Sequence, residues 1–411
     1  MNKILRFTAL GLCAVALLGS CKKKGTEPIP TPQPGTEQPG QNPGSGNTGA
    51  GNNPGTTPGT DTPVDNTKGI KLVLAEGQTD ISITALIGNE ITLEGTTTDG
   101  AFASFKPANA NEVKTLKASA PGATIVIKGN VSNLYISKGN FKLLDLSQAP
   151  ATLASLTSTG AKLAGVDLSG AVNLTSLTLS DYAPLKSLDL SKMSKLESVV
   201  LGRYGETDKQ RSLSNVVWPN QNAIKVLRLY EVGLTTLPVA SFAAIETLYL
   251  RGSAFGAFDH DFTFRNSKIK KFTLFKVKHA KSLYLENNEG LTSVVFTGRR
   301  RDAGAETEVV VKGNANLASV DLSTDDLSLG IKKIDLSNNP KLTTLTIGST
   351  SLFKSAGLLS VDLSGTGLEE KAILAVIEQL VEGDNSTRKI KLTNPTQTVK
   401  DAVQTKKWVL Q

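Results

Sequence analysis

The chain has 411 residues, of which 39% are hydrophobic and 20% charged, so it can bury an extended core. Its net charge is +8, with two cysteines and two histidines, which excludes a disulfide-rich framework and a cysteine- or histidine-rich metal centre. The positive balance favours anionic surfaces, but no nucleic-acid-binding module accompanies it, and nucleic acid is not an expected partner.

The chain opens on a targeting segment. Lys3 and Arg6 precede an apolar run from Phe7 to Leu18, which is too short to span a bilayer comfortably and has the layout of a secretory signal. The run ends in Leu18-Gly19-Ser20-Cys21. This tetrapeptide resembles the lipobox of bacterial lipoproteins, against the plainer alternative of an ordinary signal with a chance cysteine. The resemblance implies that residues 1–20 are removed and that Cys21 is the lipid anchor. Each buried methylene contributes about 0.8 kcal/mol, and more than one acyl chain is needed for stable anchoring. The other cysteine, Cys13, lies in the discarded signal, so the mature region has no thiol for a disulfide, a metal or a nucleophile. Lys22, Lys23 and Lys24 would sit against membrane phosphates.

Residues 21–68 form the anchor and a stalk. From Gly25 to Thr67 the sequence is Pro, Gly, Thr, Asn and Gln with almost no large apolar residue. Such a segment cannot offset the entropy of ordering and is expected to be disordered. Its 43 residues give a root-mean-square span of about 36 Å, lengthened by its prolines. Mucin-like glycosylation of its threonines is a minority alternative.

Residues 69–122 read as an N-terminal β cap. Ile70-Lys71-Leu72-Val73-Leu74, Ile81-Ser82-Ile83 and Ile91-Thr92-Leu93 alternate between apolar and polar positions and are separated by turn residues. A solenoid needs such a cover on its first coil. Over residues 123–367 one phrase returns: apolar-x-apolar, five residues, Leu, two residues, apolar-x-apolar. It starts at Val166, Leu188, Leu283, Val309 and Ile334, with a slightly longer copy at Leu144. Where uninterrupted, the unit is 22 residues long and holds two strand-like triplets. In Leu188-Asp189-Leu190 the leucines point inward and the aspartate outward. Asn and Gly, as in Ser337-Asn338-Asn339-Pro340, suit the sharp bends. A fixed period of this kind predicts stacked coils with short parallel strands on two faces and little helix.

Between Arg203 and Phe264 the register loosens. Arg203 to Gln221 reads as an insertion with a half-repeat at Val216-Val217-Trp218. The phenylalanines from Phe255 to Phe264 read as core filler around Asp259-His260-Asp261. A second insertion, Gly298 to Gly304, is expected to protrude with Arg299, Arg300 and Arg301. Residues 368–411 form a C-terminal α/β cap. Leu368 to Val381 has amphipathic helical spacing with Glu369 and Glu370 in its first turn. Ile390-Lys391-Leu392 is the expected last strand, followed by a short helix over Thr398 to Thr405.

The "LDLS" phrases, the Asn-Asn-Pro, the helix after Val361-Asp362-Leu363-Ser364 and the closing Lys406-Lys407-Trp408-Val409 resemble the leucine-rich repeat lipoproteins of Gram-negative gut and oral anaerobes. The resemblance covers roughly Ala123 to Gln411. It implies a mainly β leucine-rich repeat solenoid and a component of the bacterial cell envelope, lipid-anchored in the outer membrane and engaged in adhesion. Surface-exported members often carry acidic residues after the anchor cysteine. This chain carries three lysines, which leaves a periplasm-facing location open.

No catalytic motif stands out, and neither enzyme activity nor a cofactor is expected. Asp259, His260 and Asp261 alternate faces in an extended segment and cannot easily converge on a metal. Asp145, Asp167, Asp189, Asp335 and Asp362 would form a ladder about 4.8 Å per rung if coils stack in register. Each is then expected to have a local Ser, Thr or Lys partner, and the calcium-binding nonapeptide is absent. The candidate partner-binding residues are the outward positions of the middle strands, Arg228, Tyr249 and Tyr284, with nearby Tyr230, because Tyr and Arg anchor interfaces; ordinary strand surface is the alternative. Arg299, Arg300 and Arg301 would suit an acidic partner. The expected function is a monomeric adhesion or binding module for a protein or glycan. The alternatives are a periplasm-facing structural or assembly factor and an accessory carbohydrate-binding module.

Overall fold

The computed structural model describes residues 69–86, 91–95, 104–105, 114–180, 185–202, 213–220, 223–234, 236–252, 261–279, 282–300, 307–323 and 330–411. Residues 1–68, with Cys21 and the expected stalk, lie outside these, as do Asp259, His260, Arg301 and much of the two expected insertions.

Two rows of short strands alternate along the chain. The second triplet of each unit supplies a front sheet: Ser155–Ser158, Ser176–Leu179, Ser198–Leu201, Val226–Tyr230, Thr247–Arg251, Lys271–His279, Ser293–Arg300, Ser319–Asp321 and Thr344–Thr346. Neighbouring strands in this row are parallel, and their inward residues stay aligned: Leu177 with Val199, Val199 with Leu227, Leu227 with Leu248, Leu248 with Phe272 and Phe272 with Val294. All are buried. Period two fixes this register, because a slip of one residue would turn every apolar side chain to solvent.

The Leu-Asp-Leu phrases supply a back row. Leu144 pairs with Val166 in parallel, and Leu188 with Val216. A second stretch runs through Phe262–Arg265, Leu283–Glu286, Thr307–Lys312, Ile331–Asp335 and Ser360–Asp362 to Lys389–Lys391 and Val409–Leu410. The half-repeat at Val216 is thus a full rung of the back row. The strand at Ile390 is not the last, since Val409–Leu410 pairs with it in parallel.

At the N-terminal end the pairing is antiparallel. Gly69–Leu74 pairs with both Thr124–Lys128 and the later part of the 13-residue strand Asn133–Asp145. Asp80–Leu86 pairs with Lys114–Lys117 and the earlier part of the same long strand. Parallel stacking begins only at Asn133, so Thr124–Lys128 joins the antiparallel strands rather than the coils. At the other end, α1 (Glu370–Gln379) buries Val376 and Ile377, and α2 (Gln397–Thr405) buries Val399 and Val403. Trp408 Nε1 donates to the Val381 carbonyl at 2.8 Å and ties these pieces together. No helix among the described residues is long and apolar enough to cross a membrane. The molecule is a mainly β leucine-rich repeat solenoid with few helices.

The bend after each back strand takes two forms. In the early coils Ala149, Ala171 and Met193 are buried there, and each amide donates to a carbonyl three residues earlier in its own coil. In the later coils the same position is Asn288, Asn314 and Asn339, each 0% exposed. Their side chains bridge successive coils. Asn288 N–H donates to Asn314 Oδ1 and Asn314 N–H to Asn339 Oδ1, both at 2.8 Å. Their amide groups donate to the carbonyls of Phe264, Leu285 and Val311 at 3.0, 2.9 and 2.7 Å. The residue before each is left-handed: Asn287 at φ 54°, Gly313 at φ 69° and Asn338 at φ 56°. Asn and Gly tolerate that region at little cost. A buried asparagine is sustained only when its donors and acceptors are matched, and here they are.

The aspartates close local turns. Oδ1 of Asp145, Asp167, Asp189, Asp335 and Asp362 accepts from the amide of the serine two residues on at 2.8–3.0 Å. The expected five-rung ladder is not formed: Asp145 aligns with Asp167 and Asp335 with Asp362, while Asp189 aligns with Val217. Lys71 stands 3.5 Å from Asp145 and Lys333 3.5 Å from Asp335, which relieves the like-charge contacts. Burial raises the Asp145 carboxyl, but the Ser147 hydrogen bonds and Lys71 outweigh it and hold it below its ordinary value.

Candidate functional site

Along the outward centre of the front sheet the residues aligned by strand register are Thr157, Thr178, Val200, Arg228, Tyr249, Thr273, Val295, Asp321 and Thr346. Small and β-branched residues make up most of the column; the large or charged exceptions are Arg228 and Tyr249 at its centre, Asp321 further on, and Tyr135, which aligns with Thr157 at its start. Two residues further along each strand a second column aligns Tyr230, Arg251, Phe275 and Thr297. The two columns meet where Tyr230 packs against Tyr249, with ring centroids 5.2 Å apart and planes inclined by 39°. The Arg251 guanidinium lies 4.8 Å above the Phe275 ring, a cation–π contact. Gly202 gives this corner its close packing. Its φ is 86°, and a Cβ there would lie 2.0 Å from the Tyr230 carbonyl oxygen, so only glycine permits the approach.

Below this patch, just before the strands begin, runs a row of alternating charge. The amides and carbonyls of Glu197, Lys225, Glu246 and Lys270 link them coil to coil. Lys225 pairs with Glu197 at 2.9 Å and Lys270 with Glu246 at 2.8 Å. The Lys270 hydrogen bond holds the Glu246 carboxyl below its usual range.

The sequence candidates divide between the two sheets. Arg228, Tyr230 and Tyr249 come together on the front sheet. Tyr284 does not join them, because it belongs to a back strand, aligned with Thr263 and Val310. Its hydroxyl donates to Glu308 Oε2 at 3.2 Å, and Arg265 lies 5.2 Å over its ring while donating through Nε to Glu286 at 2.8 Å. Burial, with the nearby Glu308 carboxylate adding to it, raises the Tyr284 phenol above its ordinary value. The repeat start at Leu283 already placed Tyr284 in a first triplet, so this separation was readable. Arg299 and Arg300 are not in a protruding loop: the front strand continues through them, with Lys278 aligned to Arg299 and His279 to Arg300. The Oδ1 of Asp261 accepts from the Ser282 amide at 2.9 Å, while Asp259 and His260 lie outside the described residues. Phe262 and Phe264 fill core against Phe272 at 6.2 and 6.0 Å, the role expected of them. Arg251 and Phe275 were not foreseen, although period two along the strands of Tyr249 and Thr273 points to them.

A second feature is a cleft of about 310 Å³ on the back side, lined by Ser214, Asn215, Val216, Trp218, Leu234, Thr236, Leu237 and Pro238. It lies where the two-stranded piece ending at Asn215–Val217 stops and before the seven-stranded piece begins at Phe262–Arg265. Trp218 meets Phe242 edge-on at 5.3 Å. Among the described residues, no three His, Cys, Asp or Glu side chains gather as a metal site.

No protein-family model matches the chain, and no curated protein matches it. Among solved structures it is similar to the crystal structure of an internalin from Listeria monocytogenes, at 13% identity over 68% of this chain and 86% of that one, with a TM-score of 0.24. It is also similar to the functional domain of InlJ from Listeria monocytogenes, which includes a cysteine ladder. There the identity is 14% over 65% of this chain and 78% of that one, with a TM-score of 0.26. The strand register, rather than these distant likenesses, carries the fold.

Proposed function

We propose that this chain is a non-catalytic binding module whose partner is a protein, held through the outer face of the central coils. The observation that carries this reading is the contiguity of Arg228, Tyr230, Tyr249, Arg251 and Phe275 on three registered strands, flanked along the column by Thr178 and Val200 on one side and Val295 on the other. Tyr and Arg are the side chains that most often anchor protein interfaces, and polar surroundings that exclude water complete such a patch. A stack of short parallel strands offers this surface on a stiff support, so little ordering entropy opposes binding.

The sequence around Cys21 supports a lipid-anchored protein of the bacterial outer membrane, with the Pro- and Gly-rich segment as its tether. Three lysines after the anchor leave both membrane faces open, and protease treatment of intact cells decides between them. The binding face is tested with paired protein and glycan arrays probed by residues 22–411. Wild type is expected to retain a protein, and the double variant Tyr230→Ala/Tyr249→Ala to lose it by at least about tenfold, the size of a single good anchor. Unchanged retention by the double variant would refute the assignment.

A further inference from the structure

Arg228 stands at the centre of the proposed binding face, and any role for it rests on that face being the contact surface. Its neighbours across the sheet are Val200 on one side and Tyr249 on the other. Three of the nearby cations are engaged, while Lys271, two strands away, is exposed. Lys225 is held by Glu197 and Lys270 by Glu246, and Arg251 lies on Phe275. The acids of the stretch are taken by the same pairs, and Glu231 is engaged as well. Arg228 differs. It is exposed, and among the described residues its guanidinium has neither an ion pair nor a side-chain hydrogen bond.

A guanidinium is charged at every physiological pH and presents a planar fork of donors that matches a carboxylate in two-point contact. Beside an aromatic pair, a partner that covers the site excludes water and strengthens that contact relative to the open surface. We infer that Arg228 is the recognition point for a carboxylate of the protein partner: an Asp or Glu in a short segment whose neighbouring apolar or aromatic side chains lie on Tyr230 and Tyr249. The flanking row favours a peptide over an acidic polysaccharide. Its charges alternate as Glu197, Lys225, Glu246 and Lys270 along the coils. Because these charges cancel in pairs, the row gives a uniformly anionic polymer running along the coils no net attraction, whereas a peptide of mixed charge can match it. The two tyrosines also pack on each other rather than standing apart as separate sugar platforms.

The test is an unbiased one. A library of random twelve-residue peptides is selected against residues 22–411, and the survivors are re-measured on Arg228→Gln, Arg228→Lys, Arg228→Glu and Tyr249→Ala. Both positions are on the sheet surface, and unchanged thermal melting confirms the fold of each variant. The expected survivors are enriched in Asp or Glu next to an aromatic or apolar residue. They lose affinity about tenfold or more on Arg228→Gln, retain part of it on Arg228→Lys, and weaken with added salt. Selection against Arg228→Glu is expected to turn toward basic peptides. Survivors sensitive to Tyr249→Ala but indifferent to Arg228→Gln, with no acidic enrichment, would overturn this inference while leaving the binding face intact. Survivors insensitive to both variants would overturn the binding face itself. Polygalacturonate bound by wild type and lost on Arg228→Gln, with no peptide selected, would replace the peptide with an anionic glycan and overturn the inference.

Discussion

Replacing Asn314 with alanine isolates the role of the buried asparagine stack. Asn314 is 0% exposed and sits between two coils of like construction. Its Oδ1 accepts from the Asn288 amide at 2.8 Å, and its Nδ2 donates to the Leu285 carbonyl at 2.9 Å. Alanine removes both partners and leaves no path for water to replace them. Each buried group left unpaired costs about 1–3 kcal/mol, so the two together predict a loss of about 2–6 kcal/mol. Asn314 donates its own amide to Asn339, and that bond survives the change, which limits the damage to one interface. The control is Asn316→Ala. Asn316 also bridges coils, accepting from Lys341 Nζ at 2.6 Å and donating to the Glu289 carbonyl at 3.0 Å, but at the surface, where water takes over. Its expected cost is about 1 kcal/mol or less. Urea denaturation gives the difference in stability. Native-state hydrogen exchange locates it: the Asn288 amide and the strands Leu283–Glu286 and Thr307–Lys312 should open first, while the early coils keep their protection, as nearest-neighbour stacking requires. A stability loss within about 0.5 kcal/mol of that for Asn316→Ala, or protection lost evenly along the solenoid, would refute the reasoning.

Ser158 and the turn aspartates give two more expected outcomes. Ser158 aligns with Leu179 and faces the core at 0% exposure, and among the described residues its hydroxyl has no hydrogen-bond partner. Ser158→Ala should stabilise the fold by about 1 kcal/mol, since it removes a desolvated hydroxyl at small loss of volume; a lower denaturation midpoint would contradict this. Acid should weaken the early coils. The carboxyls of Asp145 and Asp189 are held below the ordinary value of 3.8 in the fold, Asp189 first of all by its Ser191 hydrogen bond. A depressed folded value means stability that is complete above the unfolded value and lost as pH falls through the folded one. Denaturation midpoints should therefore be level from neutrality to about pH 5 and fall below about pH 4, with a shallower acid limb in the double variant Asp145→Asn/Asp189→Asn. An equally steep limb in that variant would remove the aspartates as the cause.

The apolar-x-apolar triplets, the two-sheet solenoid and both C-terminal helices were legible in the chain itself, because period two and period 3.6 are properties of local sequence. The core leucines and the Asp-x-Ser turns are likewise local and repeat with the phrase. What the repeat could not reveal is which triplet joins which sheet once its spacing is broken. Leu283 opens an intact repeat and places Tyr284 in a first triplet, but Tyr249, also between two leucines, lies where the spacing is broken, and the two belong to opposite rows. Only the pairing of strands separated by 21 to 28 residues decides this. The asparagines read as residues suited to bends. That Asn288, Asn314 and Asn339 are instead buried and bonded from coil to coil depends on stacking, since each uses a carbonyl or amide that sequence places more than 20 residues away. The same holds for the surface patch: Arg228, Tyr249 and Phe275 are distant in the chain and become neighbours because parallel coils bring successive strands into lateral register. Sequence alone determined the repeating unit and its inward face. The tertiary structure decided the outward neighbours, because hydrogen-bonded register between coils, rather than position along the chain, sets which side chains share a surface.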